Sequence, residues 1–278
     1  MKKIIISLAM IAAVGALAIG ATTAFFSDTE TSTGNTFTAG AIDLKVDSQC
    51  TYNGVSSNEC GTWGQNDGKD IVGEKFFSFI DLKPGDQGEN TISLHIDNNP
   101  AYVCAKIAIT SDLDKTCTEP ELLNDTGCAV DTAGYGGEIA ENLSLAWWAD
   151  DGDNILEDAE ESFLFYLSEM PLSSMLAYGT DNTLYLTLAD SSQNFFTNVA
   201  GPMNGSQTYH FGLRWCFGSM AIDKSGTGNP AITCNGANVD NGSQTDSLTG
   251  DLAFSAIQAR NNGTFVCADT FKQHGTSW

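Results

Sequence analysis

Short runs in which every second residue is apolar recur along the chain. Ile42, Leu44 and Val46 alternate with Asp43, Lys45 and Asp47, and Ile92, Leu94 and Ile96 form a second such set. Val103, Ala105, Ile107 and Ile109 come next, then Leu143, Leu145 and Trp147, then Leu184, Leu186 and Leu188. Tyr209, Phe211, Leu213 and Trp215 make the strongest aromatic stripe, and Leu252, Phe254 and Ala256 sit near the C-terminus. A period of two is that of a strand with one face buried. Turn chemistry separates the runs: Lys83-Pro84-Gly85-Asp86, Asn98-Asn99-Pro100 and Asp181-Asn182 combine preset φ with residues that tolerate positive φ. Gly61 to Gly68 and Ser225 to Ser247 are rich in Gly, Ser and Asn and read as long surface loops. Glu157 to Met170 fits a short helix or a strand equally well. Many strands and little helical periodicity predict an all-β fold, an antiparallel jelly-roll-like β-sandwich with long loops. No internal repeat is visible.

The first segment is different. Lys2 and Lys3 precede an apolar run from Ile4 to Ala24 that ends in the small residues Ala21, Thr22 and Ala24. A basic start, an apolar stretch and a small-residue end make a signal peptide, residues 1–24, with cleavage between Ala24 and Phe25. The run is also near the roughly 20 residues that span a bilayer, so a retained anchor is the competing reading. The polar, Thr-rich stretch Ser27 to Thr38 favours removal. No LPxTG-like signal or second apolar span stands near the C-terminus, so no covalent tie to the envelope is expected. This divides the chain into the leader 1–24, an N-terminal segment 25–40 and a sandwich domain 41–278.

Composition sharpens the class. With 278 residues, 42% of them hydrophobic, the chain can build one large β-domain or at most two small ones. The net charge is −23, and loss of Lys2 and Lys3 with the leader makes the mature chain more acidic still. Such a surface repels nucleic acid and anionic lipid, so nucleic-acid binding is excluded as a function class. It attracts divalent cations instead. The eight cysteines, Cys50, Cys60, Cys104, Cys117, Cys128, Cys216, Cys234 and Cys267, include no C-x-x-C pair, so zinc-ribbon and thioredoxin-like readings lose their support. Dispersed and even in number, in an exported chain, they read as disulfides. Short loop closures favour Cys50–Cys60, Cys117–Cys128 and Cys216–Cys234, which leaves Cys104 with Cys267.

Ala24-Phe25-Phe26-Ser27-Asp28-Thr29-Glu30, Gly34-Asn35-Thr36-Phe37-Thr38-Ala39-Gly40 and Ile42-Asp43-Leu44 resemble the start of the TasA/camelysin family, exported proteins with a SipW-type signal peptide. Asp81-Leu82-Lys83-Pro84-Gly85-Asp86, Trp148-Ala149-Asp150-Asp151-Gly152-Asp153-Asn154, Trp215-Cys216-Phe217-Gly218 and Gln258-Ala259-Arg260-Asn261-Asn262 resemble cysteine-bearing relatives. The cysteines depart from the best-known biofilm members. The resemblance implies a jelly-roll sandwich, processing by a SipW-type signal peptidase, and a secreted location in the extracellular matrix or at the cell surface. It also implies a fibre subunit that joins copies of itself head to tail, with other matrix or surface components as further partners. In filaments of this family the freed N-terminal segment adds as a strand to the next subunit. An extended segment pairs its backbone with a sheet edge while alternate side chains enter pockets. Such a contact does not close and so builds filaments. Phe25, Phe26 and Phe37 are the donor-strand anchors on this reading. The simpler alternative makes Phe25 to Val46 the first strand of its own sandwich or a disordered lead-in.

Three kinds of chemistry fit the residues that are left. Asp150-Asp151-Gly152-Asp153-Asn154, with Glu157, Asp158, Glu160 and Glu161 after it, places oxygen ligands around a glycine turn, which is the logic of a calcium loop. Asp151, Asp153 and Glu157 are the foremost candidate Ca2+ ligands, then Asp150 and Asn154, although the EF-hand spacing is not met. A solvated acidic turn is the bland alternative. A secreted metallopeptidase of camelysin type is the second function class. The three histidines are His95, His210 and His274, and a zinc site of two histidines and a carboxylate would have to be assembled from distant segments, since no H-E-x-x-H motif occurs. No nucleophile elbow or phosphate-binding loop occurs either, so no catalytic residue is named and a non-enzymatic role is expected. A carbohydrate-binding surface module is the third class, resting on Trp148 of the Trp147-Trp148 pair and on fold analogy. Asn124, Asn142, Asn204, Asn241 and Asn262 stand in N-x-[ST] sequons.

Overall fold

The computed structural model describes residues 42–56, 60–65, 67–160, 169–226 and 228–267. The leader, the Ala24–Phe25 junction, the donor-strand anchors Phe25, Phe26 and Phe37, and His274 lie outside the described residues. So do residues 161–168, the middle of the stretch Glu157 to Met170. Among the described residues no helix is long and apolar enough to cross a membrane.

Among the described residues ten strands form: β1 (Leu44–Tyr52), β2 (Val55–Ser56), β3 (Gln87–Ile96), β4 (Ala101–Leu113), β5 (Leu143–Asp150), β6 (Thr183–Ala189), β7 (Gln207–Phe217), β8 (Ser219–Asp223), β9 (Ala231–Asn235) and β10 (Ser247–Gln258). The short helices α1 (Ile139–Asn142) and α2 (Leu172–Leu176) interrupt them. The strands make a five-stranded sheet, β2-β1-β3-β7-β5, a three-stranded sheet, β10-β4-β6, and the hairpin β8-β9. Every pairing among these strands is antiparallel. The fold is an all-β sandwich. From β3 onward the chain changes sheets at almost every connection, which is the jelly-roll manner of joining two layers.

The alternation read from the sequence becomes the two faces of the larger sheet. Val46 pairs with Leu94, Ile92 with Phe211, Leu213 with Trp147 and Trp215 with Leu145, all pointing into the sandwich. Their neighbours Asp47, Ser93, His95, His210, Arg214 and Asp150 lie on the outer face. The smaller sheet supplies the other half of the core with Val103, Ala105, Leu184, Leu186 and Leu188. Phe254 of β10 reaches across it, 6.0 Å from the Phe211 ring and 6.4 Å from that of Phe76.

Two tryptophans fix the closeness of strands. Gly88 stands directly opposite Trp215, and a side-chain carbon at that glycine would lie 2.4 Å from the indole nitrogen. On the outer face Gly212 stands opposite Trp148, with 2.3 Å to the ring. Either position must be glycine for the indole to lie flat across its partner strand.

The turns behave as their residues dictate. In Lys83-Pro84-Gly85-Asp86 the Asp86 amide donates to the Lys83 carbonyl at 2.8 Å, and Gly85 takes φ +90°. The Asp86 carboxylate in turn accepts from the Tyr52 hydroxyl at 2.5 Å and from Asn53 at 2.9 Å, tying the turn to the end of β1. Asn98, Asp181 and Asn182 all adopt positive φ. The long loop expected over Ser225 to Ser247 needs correction, because it contains β9. Cys234 pulls that segment back to β7, and half-buried Ile232 pairs with Ile222. Gly61 to Gly68 is likewise more than a loose loop, since Trp63 is buried and bridges to Ser48 of β1.

Four disulfides join Cys50–Cys60, Cys104–Cys267, Cys117–Cys128 and Cys216–Cys234. Three close short loops. The fourth spans 163 residues and lies on the outer face of the smaller sheet, where Phe265 also stacks on Tyr102 at 5.6 Å. A loop that long restricts the unfolded chain by about 5 kcal/mol of entropy, against about 3 kcal/mol for each short one. Replacing Cys104 and Cys267 by Ala should therefore lower the urea-unfolding free energy by about 3–5 kcal/mol, more than the Cys117→Ala/Cys128→Ala pair does.

Candidate functional site

The polar outer face of the larger sheet ends in the acidic loop predicted from sequence. β5 stops at Asp150, whose carboxylate organises the loop beyond it. Its Oδ1 accepts from the Trp148 indole at 2.9 Å, and its Oδ2 accepts from the amides of Gly152 at 2.9 Å and Asn154 at 3.0 Å. Gly152 at φ +115° and Asn154 at φ +62° provide the bend. Asp153 Oδ1 then accepts from the Ile155 amide at 2.9 Å, and buried Leu156 pins the loop to the body. Glu160 folds back, its Oε2 taking the Glu157 amide at 3.2 Å.

This folding gathers carboxylates. Ligand oxygens of Asp150, Asp151 and Asp153 lie within 4.8 Å of one another, and so do those of Asp151, Glu157 and Glu160. Asn154 adds a buried side-chain oxygen with no hydrogen-bond partner. The five named candidates are therefore neighbours in space. Asp150 has one oxygen bound to the Trp148 indole of β5 and the other to two loop amides, so it anchors the loop. Glu160 is not among the five, and its one signal in the sequence is its spacing of three from Glu157. Burial first, and then the Asp150 charge, push the Glu160 carboxyl up to about 7 against the backbone amides that favour its charged form. Burial, and the charges of Asp153, Asp151 and Asp150, also raise Glu157.

Beside the loop an open cleft of about 330 Å³ is lined by Asp150, Asp151, Glu160, Phe196, Tyr209 and His210 among others. His210 Nδ1 lies 2.9 Å from Ser93 Oγ. His95, one strand over, is held on both nitrogens, 2.5 Å from Asp47 Oδ2 and 3.1 Å from Thr208 Oγ1. No group of three close ligand atoms among the described residues includes a histidine. The donor set of the acidic loop is thus oxygen only, which suits a hard cation such as calcium.

The tryptophan pair resolves differently from its expected role in binding. Trp147 points into the core, and Trp148 is only 1% exposed, laid over Gly212 and tied to Asp150. Trp148 offers no surface to a sugar, which removes the residue on which the carbohydrate-binding reading stood.

Among known families, the model described as camelysin metallo-endopeptidase matches residues 1–57, a stretch that ends just past β2. It covers the residues that carry the TasA/camelysin resemblance, and it supports that family over this N-terminal portion of the chain. No curated protein matches the chain.

The raised Glu160 pKa gives a signed expectation. A carboxyl whose folded pKa exceeds its unfolded value stabilises the fold below the unfolded pKa, and that stability is lost as pH rises through the folded value. With chelator present, the protein should lose stability between about pH 4.5 and pH 7. Water in the open cleft screens the group, so the loss it causes should be no more than about 1–2 kcal/mol. Glu160→Gln should flatten the slope in urea titrations across that range and melt higher than the parent at about pH 7.5.

Proposed function

We propose that the chain is an exported structural subunit that polymerises head to tail. In this reading the segment Phe25 to Ala39 of one copy, freed by cleavage after Ala24, adds as a strand beside β10 of the next. The observation that favours it is the state of β10. This twelve-residue strand pairs with β4 on one side and with no described strand on the other. Leu252, Phe254 and Ala256, on its core side, remain half-buried although they pack against the core. The smaller sheet holds three strands against five in the larger, so a further strand would extend it where the core is least covered. A donor segment supplies backbone partners for the edge and apolar side chains for the gaps between Leu252, Phe254 and Ala256. The leader supports export, and the disulfides, which persist in oxidising surroundings, support a matrix or cell-surface location.

A metallo-endopeptidase is the second reading. It is favoured by the description of the matching family and by the cleft that brings His210 beside Asp150, Asp151 and Glu160.

Mature protein lacking residues 25–39 should remain a folded monomer by circular dichroism and light scattering, and should form no filaments in negative-stain micrographs. Filaments that persist after this deletion would sink the strand-donation mechanism. The undeleted mature protein should leave casein intact. Chelator-sensitive cleavage that disappears in His210→Ala would instead establish the peptidase.

A further inference from the structure

A second group of carboxylates lies where β4 leaves the smaller sheet and β10 enters it, away from the loop after β5. Leu113 and Ser247 are the first paired residues there, and Asp114 and Asp246 flank them. The excursion after β4 is closed by the Cys117–Cys128 disulfide and returns through Glu138 at the start of α1. Ligand oxygens of Asp114, Asp125 and Glu138 lie within 4.8 Å of one another. Glu121, fully buried, lies equally close to Asp114. The Cys128 sulfur beside them is in a disulfide and is no thiolate.

The state of Asp114 marks this as more than an acidic patch. It is only 3% exposed, and one of its oxygens is satisfied, Oδ2 by the Ala129 amide at 3.1 Å. Oδ1 is buried with no hydrogen-bond partner. Asp131 Oδ1 is buried and without partner too, while the buried carboxyls of Glu138 and Asp246 lie within hydrogen-bond reach of each other. Among the described residues none of these carboxylates enters an ion pair, and Lys115 next to Asp114 is exposed to solvent. Burying several unpaired negative charges together is prohibitive unless protons or a cation neutralise them.

We propose that Asp114, Asp125 and Glu138 are ligands of a calcium ion, with Asp246 closing the site from the start of β10. The donors are all oxygen, come from four separate chain positions and outnumber what an octahedral magnesium ion usually takes from protein, which favours calcium's larger and less regular shell. The ion joins the end of β4, the disulfide-closed excursion, the start of α1 and the start of β10. Calcium therefore holds shut the end of the smaller sheet.

The test uses the mature chain carrying Asp151→Asn and Glu157→Gln, so that the loop after β5 does not contribute. Calcium chloride is titrated into this protein by calorimetry in chelator-treated buffer at about pH 7, with magnesium chloride as comparison. One calcium equivalent should bind in preference to magnesium. At about a hundredfold excess over Kd the melting temperature should rise by about 5–10 °C. Cleavage by trypsin at Lys115 should slow in calcium. Asp114→Asn and Glu138→Gln should abolish the calcium increment. Glu138→Gln should melt no lower than its parent in chelator, because it removes a repelling charge and keeps the fold. An unchanged melting temperature with no binding heat would overturn the proposal, as would calcium binding in Asp114→Asn and Glu138→Gln equal to that of the parent.

Discussion

The register of β3 against β7 is the constraint on which the other layers depend. These strands lie at the centre of the larger sheet, and their pairing sets Ile92 against Phe211 and Leu94 against Tyr209 on the core side. A slip of one residue would turn the whole apolar set to solvent and bring Ser93, His95 and His210 inward. Gly88 under Trp215 guards this register on the core face, and Gly212 under Trp148 guards the neighbouring register of β7 against β5 on the outer face, because either indole would collide with any other residue in that place. The pairing of β5 with β7 then carries Asp150 to the end of β5, where the Trp148 indole meets its carboxylate. Core packing and the acidic loop are in this sense one arrangement seen from two sides.

The outer faces of the two sheets are finished by different means. On the larger sheet polar pairs cover the strands: His95 with Asp47 and Thr208, His210 with Ser93, and Arg214 with Glu89 and Gln87. On the smaller sheet the stretch after β10 lies across β4, held by Cys104–Cys267 and by Phe265 on Tyr102. The acidic composition then concentrates in loops at strand ends. Carboxylates there crowd one another and raise the cost of the charged state unless a cation is present.

Much of this was legible in the chain because strand periodicity is a local signal. The sets around Leu44, Ile92, Val103, Leu145, Leu184, Phe211 and Leu252 all became strands, and the turns fell at Pro84, Asn98 and Asp181. The stretch from Ser225 to Ser247 misled because its composition is that of a loop, while its strand is imposed from a distance by Cys216–Cys234 and by pairing with β8. Trp148 misled for the opposite reason: an aromatic on a polar face looks exposed until the bare strand at Gly212 is known to lie beneath it. The acidic run after β5 could be read, since its residues are contiguous. The group built from Asp114, Asp125, Glu138 and Asp246 could not, because the folding of the excursion after β4 gathers the first three and only the pairing of β4 with β10 adds Asp246.

The long disulfide has a mechanical meaning as well. β10 lies inside the covalent ring closed by Cys104 and Cys267, whereas β1 and β3 lie outside it. If the domain is stretched between its N-terminal side and β10, the long chain path from Cys104 to β10 is short-circuited by the Cys104–Cys267 bond. Only the chain ahead of Cys104 and the short stretch between β10 and Cys267 can unreel, and Cys50–Cys60 shortens the former. Under tension the domain would lengthen by a fraction of its contour and then stop against a bond that thermal unfolding does not break.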